Sequence, residues 1–248
     1  MIYENGAQRG KAGPPIDSFR ARRHTLRMRS RLSRPTAADF DVIYINARRP
    51  ENLPWYHAEP PKLLQHVVDL RQRSGRRALD IGCGDGMCSL YLARAGYTVT
   101  SLDFSEGALE MTQVAAAGAG LDIRTVRANV LGWSASERYD LILDSCCLHV
   151  RSFRNADRPR YKQQILRWLA EDGDYVLVHF DRVHLLDWRP VGPRRRTRGQ
   201  ILSLFSPELA EHETDFHERE APLPVGPVVR ERAYWFRWNA AREPHLKD

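Results

Sequence analysis

The segment Leu79-Asp80-Ile81-Gly82-Cys83-Gly84-Asp85-Gly86 decides the fold. It ends a short apolar run, Arg77–Ile81, that reads as a strand. It opens Cys88–Ala95, which reads as a helix stopped by Gly96. Glycine lets the backbone turn tightly here and lets a ligand approach to van der Waals contact. The next strand, Thr98–Leu102, is rich in β-branched residues, and Asp103 follows it directly, 19 residues beyond Gly84. An acid about 20 positions past such a loop is placed to hydrogen-bond ribose hydroxyls. A dinucleotide loop has the form G-x-G-x-x-G and faces a pyrophosphate. Here the third glycine comes one position early, and Asp80 stands just before the loop. A carboxylate there repels a diphosphate and favours an ammonium group, so the pattern suits a ligand carrying a ribose and an α-amino acid.

Outward from this loop, strands and helices alternate. Thr36 with Asp39 reads as a helix start of the capping-box kind, with Asp in place of the usual Glu. Residues 47–60 hold Pro50, Pro54 and Pro60 and read as loop. A helix starts at Pro60 or Pro61, with Leu63, Leu64, Val67, Val68 and Leu70 at helical spacing. Beyond Asp103, Glu106–Ala117 reads as helix, Asp122–Val126 and Tyr139–Leu143 as strands, Arg160–Ala170 as helix, and Asp174–Phe180 as a strand. Gln200–Leu204 and Arg232–Trp238 read as two further strands forming an antiparallel hairpin at the sheet edge, after a polar insertion at 181–199. The alternation implies βαβ units and a largely parallel sheet covered on both faces.

Composition agrees with a folded core. The 248 residues are 42% hydrophobic, with no run of 18 or more apolar residues, so no membrane-spanning helix is read. The N-terminus is polar and Arg-rich with no apolar stretch of a secretory signal. Four cysteines do not make a disulfide framework, and Cys83, Cys146 and Cys147 lie in hydrophobic segments, which points to reduced thiols and a cytoplasmic protein. The formal net charge of +7 is confined to residues 1–34, where nine basic residues face two acidic ones. A basic arm, residues 1–35, on a neutral body argues against a broad nucleic-acid surface. Three readings of the arm stand: a solvated extension, a contact with RNA or an acidic partner, and a short helix over the active site. The body, 36–240, reads as one domain followed by a tail, 241–248.

Taken together these residues resemble the class I S-adenosylmethionine-dependent methyltransferases. Asp80-x-Gly82-x-Gly84-x-Gly86 resembles their first motif, and Asp103 their ribose-binding acid. Ala128-Asn129-Val130 sits where that family usually has an acid and an apolar residue at the adenine, Asn129 being a departure. Tyr139–Asp144 resembles the fourth strand, whose end faces the methyl group, and Asp172-Gly173-Asp174 the turn before the fifth. The resemblance covers about residues 60–180. It implies an α/β, Rossmann-like three-layer sandwich whose seven-stranded sheet is mostly parallel with the last strand antiparallel. It also implies S-adenosyl-L-methionine across the carboxyl ends of the first strands. The cofactor residues it implies are Trp55, Asp80, Gly82, Cys83, Gly84, Asp103, Phe104, Asn129, Val130, Asp144 and Ser145. No metal is implied: Cys146 and Cys147 lack a second cysteine pair or a matching histidine spacing.

Three segments face the acceptor. His149, in Asp144-Ser-Cys-Cys-Leu-His149, titrates near neutrality and is a candidate general base, with structural packing as the other reading. Tyr44 and Leu53-Pro54-Trp55 are similar to elements preceding the fold in thiopurine, thiol/halide and tellurite-type methyltransferases, where this segment, here 36–60, closes over the cofactor. Tyr44 is the second catalytic candidate. The insertion at 181–199, between His179 and Gly199, carries Asp181, His184, Trp188 and Arg194-Arg195-Arg196-Thr197-Arg198. Such a cluster either grips a carboxylate or phosphate or forms a solvated loop. The resulting expectation is methyl transfer to a small molecule at an O, N or S/Se atom. An RNA- or protein-directed enzyme using the arm is the alternative, and a non-catalytic partner subunit a third reading. No Asn-Pro-Pro-Tyr-type motif follows strand four, so base-amine methylation of nucleic acid has no signature.

Overall fold

A computed structural model describes residues 35–71, 75–150, 152–182, 194–220 and 228–240. The arm up to Arg34, the tail from 241, and His184 and Trp188 of the insertion lie outside the described residues.

The first helix, α1 (Ala37–Ala47), begins as its capping box requires. Thr36 Oγ1 accepts from the Asp39 amide at 3.4 Å, and the Asp39 carboxylate accepts from the Thr36 amide at 2.7 Å. A short 3-10 turn, Pro50–Asn52, interrupts the proline-rich loop. Helix α2 (Lys62–Arg71) buries Leu63, Leu64, Val67 and Val68, whereas Leu70 is 60% exposed and does not join the core. Leu70 lies beyond the stripe that Leu63, Leu64, Val67 and Val68 already fill. Then come β1 (Arg77–Ile81), α3 (Met87–Arg94), β2 (Thr98–Asp103), α4 (Glu106–Gly118), β3 (Ile123–Arg127), β4 (Tyr139–Ser145), α5 (Arg158–Trp168), β5 (Leu169–Phe180), α6 (Arg198–Phe205), β6 (Leu209–Glu220) and β7 (Val228–Trp238).

The seven strands form one sheet in the order β3-β2-β1-β4-β5-β7-β6. Neighbours from β3 through β5 run parallel, and β7 runs antiparallel to both β5 and β6. The expected architecture is therefore observed. Both faces of the central strands are covered, which explains their nearly continuous apolar runs. On one face Leu79, Ile142, Leu177 and Phe236 pack with Ile165 and Trp168 of α5 and Phe205 of α6. On the other, Ala78, Leu141, Val176 and Trp235 pack with α2 and with Cys88 and Leu92 of α3.

Two strand assignments change. Gln200–Leu204 is helical, inside α6, because Thr197 and Gln200 form a reciprocal cap: Thr197 Oγ1 accepts from the Gln200 amide at 3.3 Å and Gln200 Oε1 accepts from the Thr197 amide at 3.1 Å. The strand that pairs with β7 is instead β6, a highly charged segment. An edge strand faces water, so it carries charge where a central strand carries Val or Ile. Strand β5 also starts five residues early, because Leu169 pairs with Tyr139 before a register shift leads to Asp174 opposite Leu141.

Helix α1 lies across the start of α4. Asp41 Oδ1 accepts from Ser105 Oγ at 2.6 Å and from the Gly107 amide at 3.2 Å. The helices approach so closely that a Cβ on Gly107 would lie 2.9 Å from Tyr44 Cβ. This docking brings the aromatic side chains of residues 40–55 to the end of β2.

Candidate active site

Strands β1 and β4 meet at the point where the strand order reverses, and open α/β sheets bind ligands at the carboxyl ends there. The glycine loop leaves β1 at this point. Gly84 and Gly86 have φ of +61° and +82°, a region that favours glycine. The Gly84 amide donates to Asp103 Oδ2 at 3.2 Å, and the Ser105 amide donates to Oδ1 at 2.9 Å, so the β2 acid is fastened to the β1 loop. A Cβ on Gly84 would sit 3.2 Å from the Tyr44 hydroxyl, and one on Gly82 would lie 3.0 Å from Cys147 Cβ. The loop is thus flanked by the α1 segment on one side and the loop after β4 on the other.

An aromatic cluster closes the first side. Tyr44 and Trp55 meet edge to face at 5.8 Å, Phe40 lies 5.9 Å from Trp55, and Phe40 lies 5.3 Å from Phe104. Burial first, then the charge of Asp103, pushes the Tyr44 hydroxyl well above its ordinary range, so it stays protonated. Cys83 is buried with its Sγ 3.6 Å from Thr112 Oγ1, and burial raises its thiol in the same way.

The floor is acidic. Asp80 is 1% exposed and accepts from Ser89 Oγ at 2.6 Å, with Ser101 Oγ a further 2.6 Å from Ser89 Oγ. Burial raises the Asp80 carboxyl to about 7; the Ser89 bond opposes this, and the charges of Asp85, Asp103 and Asp144 add to it. Burial likewise raises Asp85 and Asp103. Asp80, Asp85 and Asp103 at one sheet end make a cation-seeking crevice. Asp80 costs stability as it ionises. Its folded pKa lies above the usual value near 3.9, so the folded chain holds the extra proton between about pH 4 and pH 7. Stability falls as pH rises through that window. Asp80→Asn keeps an acceptor for Ser89 and removes the charge. Its melting temperature is expected to exceed the wild type's at pH 8 by about 5 °C, with the gap closing toward pH 4. Superimposed profiles in thermal melts of ligand-free protein would contradict this.

The remaining sequence candidates are placed differently. Asn129 is exposed after β3, and its Oδ1 accepts from the Leu131 amide at 2.9 Å, a local turn, while Val130 is buried beside it. Asp144 is fully buried and turned inward: Oδ1 accepts from the Cys147 amide at 2.6 Å, and Oδ2 accepts from the Leu148 amide at 3.1 Å and from the Tyr161 hydroxyl. It shapes the loop after β4 instead of presenting an oxygen to the crevice. Burial brings its carboxyl to about 6, against the bonds from Tyr161, Cys147 and Leu148. Ser145 is half-buried at the end of β4, and Cys146 follows with φ +74°, an uncommon conformation for a non-glycine residue. His149 is 5% exposed and stacks on Phe180 with ring centroids 4.4 Å apart, at the end of β5. Asp41, Thr112 and Tyr161 carry no motif that marks them in the sequence. Asp41 alone has a local signal, sitting one helical turn before Tyr44 on the same face. Among the described residues no three His, Cys, Asp or Glu side chains converge as metal ligands do, and no helix is long and apolar enough to cross a membrane.

The strand order, the glycine loop and the fastened β2 acid define the class I methyltransferase fold. Residues 78–173 match the model of the family described as a methyltransferase domain. Over 134 residues the chain is 30% identical to the 2-heptyl-1-hydroxyquinolin-4(1H)-one methyltransferase of Mycobacteroides abscessus, which covers 52% of this chain and 56% of that protein. Over 76 residues it is 42% identical to the ubiquinone biosynthesis O-methyltransferase of Rhizobium leguminosarum, 30% of each chain. The chain thus spans about half or less of the length of the curated relatives it matches. Among solved structures, 1,6-didemethyltoxoflavin-N1-methyltransferase from Burkholderia thailandensis, with S-adenosylhomocysteine bound, superposes with a TM-score of 0.61 at 18% identity, covering 94% of both chains. TehB from Haemophilus influenzae superposes with a TM-score of 0.59 at 20% identity, over 71% of this chain and 62% of that one.

Proposed function

We propose that the protein transfers a methyl group from S-adenosylmethionine to a small-molecule acceptor. The observation that carries this is the clamp between the Gly84 amide and Asp103 in an acidic, aromatic-walled crevice. A ribose fits the Asp103 carboxylate, and a ligand with two positive centres, sulfonium and ammonium, fits the acidic floor of the crevice and the aromatic side chain of Trp55. Bound there, the cofactor supplies an already activated methyl group, so the chain's task is to align an acceptor and exclude water. Gly82, Gly84 and Asp103 hold the nucleoside end, with Cys83, Phe104, Asn129 and Val130 along it. Phe40, Tyr44 and Trp55 shield it, and Asp144 and Ser145 fix the wall behind the reacting atoms. The Tyr44 hydroxyl, kept protonated by burial, does not act as a base. The relatives named for a hydroxyquinolone and for ubiquinone biosynthesis, and the neighbour named for a didemethyltoxoflavin, support a small-molecule acceptor. A reducing, cytoplasmic setting suits four cysteines that form no disulfide.

The reaction is tested by incubating the protein with S-adenosylmethionine and a panel of small hydroxylated and ring-nitrogen acceptors. Release of S-adenosylhomocysteine together with a methylated product by mass spectrometry is expected. No turnover on any acceptor, with no binding of S-adenosylhomocysteine, would contradict the reading. Within the reaction, His149 acts mainly as a buried wall stacked on Phe180. His149→Ala is expected to reduce turnover less than about tenfold, whereas general-base catalysis is typically worth 10²–10⁴-fold. A hundredfold loss with cofactor affinity intact would make it the base.

A further inference from the structure

Three arginines converge at the carboxyl end of β5, across the sheet end from the acidic crevice. Arg196 is 4% exposed, and its backbone is pinned beside β5: its amide donates to the Phe180 carbonyl at 3.2 Å, and its carbonyl accepts from the Arg182 amide at 3.0 Å. Two residues earlier, the Arg194 amide donates to the His149 carbonyl at 2.8 Å, tying the segment to the loop after β4. Arg158 opens α5. Buried nitrogens on all three guanidinium groups lack a hydrogen-bond partner: Arg158 Nε, Arg194 Nε, and both Nε and Nη2 of Arg196. No carboxylate among the described residues pairs with any of them. Of the neighbouring acids, Asp181, bridged to Arg196 through the backbone, pairs through Oδ2 with Arg232 at 2.7 Å while its buried Oδ1 has no hydrogen-bond partner, and Asp157 Oδ2 accepts from the Arg154 amide at 2.6 Å.

A buried guanidinium such as that of Arg196 without an anion is rare, because burial disfavours the charge and each orphaned N–H forfeits its bond to water, and the half-buried Arg158 and Arg194 stand beside it. Here the charges also oppose one another. Burial, then Arg158 and Arg194, bring the Arg196 guanidinium down to about 10, and burial with Arg194 lowers Arg158. The planar guanidinium fork matches carboxylate and phosphate oxygens. Such a set of unsatisfied donors, at the sheet end beside the His149–Phe180 stack, is what an oxyanion completes.

We propose that Arg158, Arg194 and Arg196 form an oxyanion site that anchors a carboxylate or phosphate of the acceptor, making the substrate an acidic small molecule. The acceptor part of this rests on the methyl-transfer reading; the anion site itself does not. The crevice then divides by charge: carboxylates at β1 and β2 for a cationic cofactor, arginines at β5 for an anionic substrate.

Thermal melts of the full chain at low salt test it, with inorganic phosphate and with benzoate in separate arms and chloride at matched ionic strength as the control. One oxyanion is expected to raise the melting temperature by about 5 °C near saturation while chloride does not. A response to phosphate assigns a phosphorylated acceptor, and a response to benzoate assigns a carboxylic acid. Arg196→Gln is expected to weaken that oxyanion's binding about tenfold or more. Ligand-free, the same variant is expected to melt at or above the wild-type temperature, since it removes a buried charge from two like neighbours. Should Arg196→Gln not fold, Arg158→Gln carries the same binding expectation. Equal responses to oxyanion and chloride, or a variant that responds like wild type, would overturn the site. S-adenosylhomocysteine added to the same samples separates the two readings. Cofactor binding without an oxyanion response overturns the anion site alone, and an oxyanion response without cofactor binding overturns methyl transfer.

Discussion

Gly86→Ala is expected to destabilise the fold by about 2–4 kcal/mol, the sum of backbone strain and overpacking. Gly86 caps α3 with φ +82°, where an L-residue is strained. The added Cβ would also lie 2.8 Å from Thr112 Oγ1 and 3.0 Å from Thr112 Cα, so helix α4 would have to move, not merely a side chain. Gly120→Ala separates the two effects. Gly120 also has a positive φ, +66°, but nothing lies within 4 Å of its Cβ position, so strain alone is expected, about 1–2 kcal/mol. Chemical denaturation of both variants checks this, and equal losses would contradict the close approach of α3 and α4.

Asp103→Ala is expected to weaken S-adenosylhomocysteine binding by about 10- to 150-fold, the value of one charged hydrogen bond of roughly 1.5–3 kcal/mol. The carboxylate also holds the Gly84 and Ser105 amides, so part of the loss comes from a loosened loop. Asp103→Asn retains one acceptor oxygen for those amides while removing the charge, and its affinity is expected to fall between the two. Equilibrium dialysis at matched salt measures all three proteins. Unchanged affinity in both variants would remove Asp103 from the cofactor site.

What could be read without coordinates follows from the range of the forces involved. The capping box at Thr36 and Asp39, the glycine loop and the spacing to Asp103 are local patterns, and each appears in the structure as read. Strand β6 escaped because its charged residues suit an edge rather than a core. The helix at Arg198–Phe205 was hidden by an apolar run, Ile201-Leu202, although Thr197 and Gln200 supplied a start signal. The inward turn of Asp144 depends on Tyr161, which α5 delivers, and no short-range pattern links the two. The same is true of the arginines: the cluster at 194–198 is visible in the chain, but only the fold adds Arg158 and leaves a buried nitrogen on each of Arg158, Arg194 and Arg196 without an acceptor. Gly84 shows the opposite case, where a local motif and a distant contact coincide, since Tyr44 of α1 stands over it.

That coincidence supplies the most direct measurement of the central claim. Calorimetric titration of S-adenosylhomocysteine into the wild-type chain is expected to show one site per chain. Gly84→Val places a branched side chain at φ +61°, against the Tyr44 hydroxyl and in the path of the ligand, and is expected to abolish the binding heat while the protein remains folded. No binding by the folded wild-type protein, or undiminished binding by Gly84→Val, would contradict the assignment of the crevice between β1 and β2 as the cofactor site.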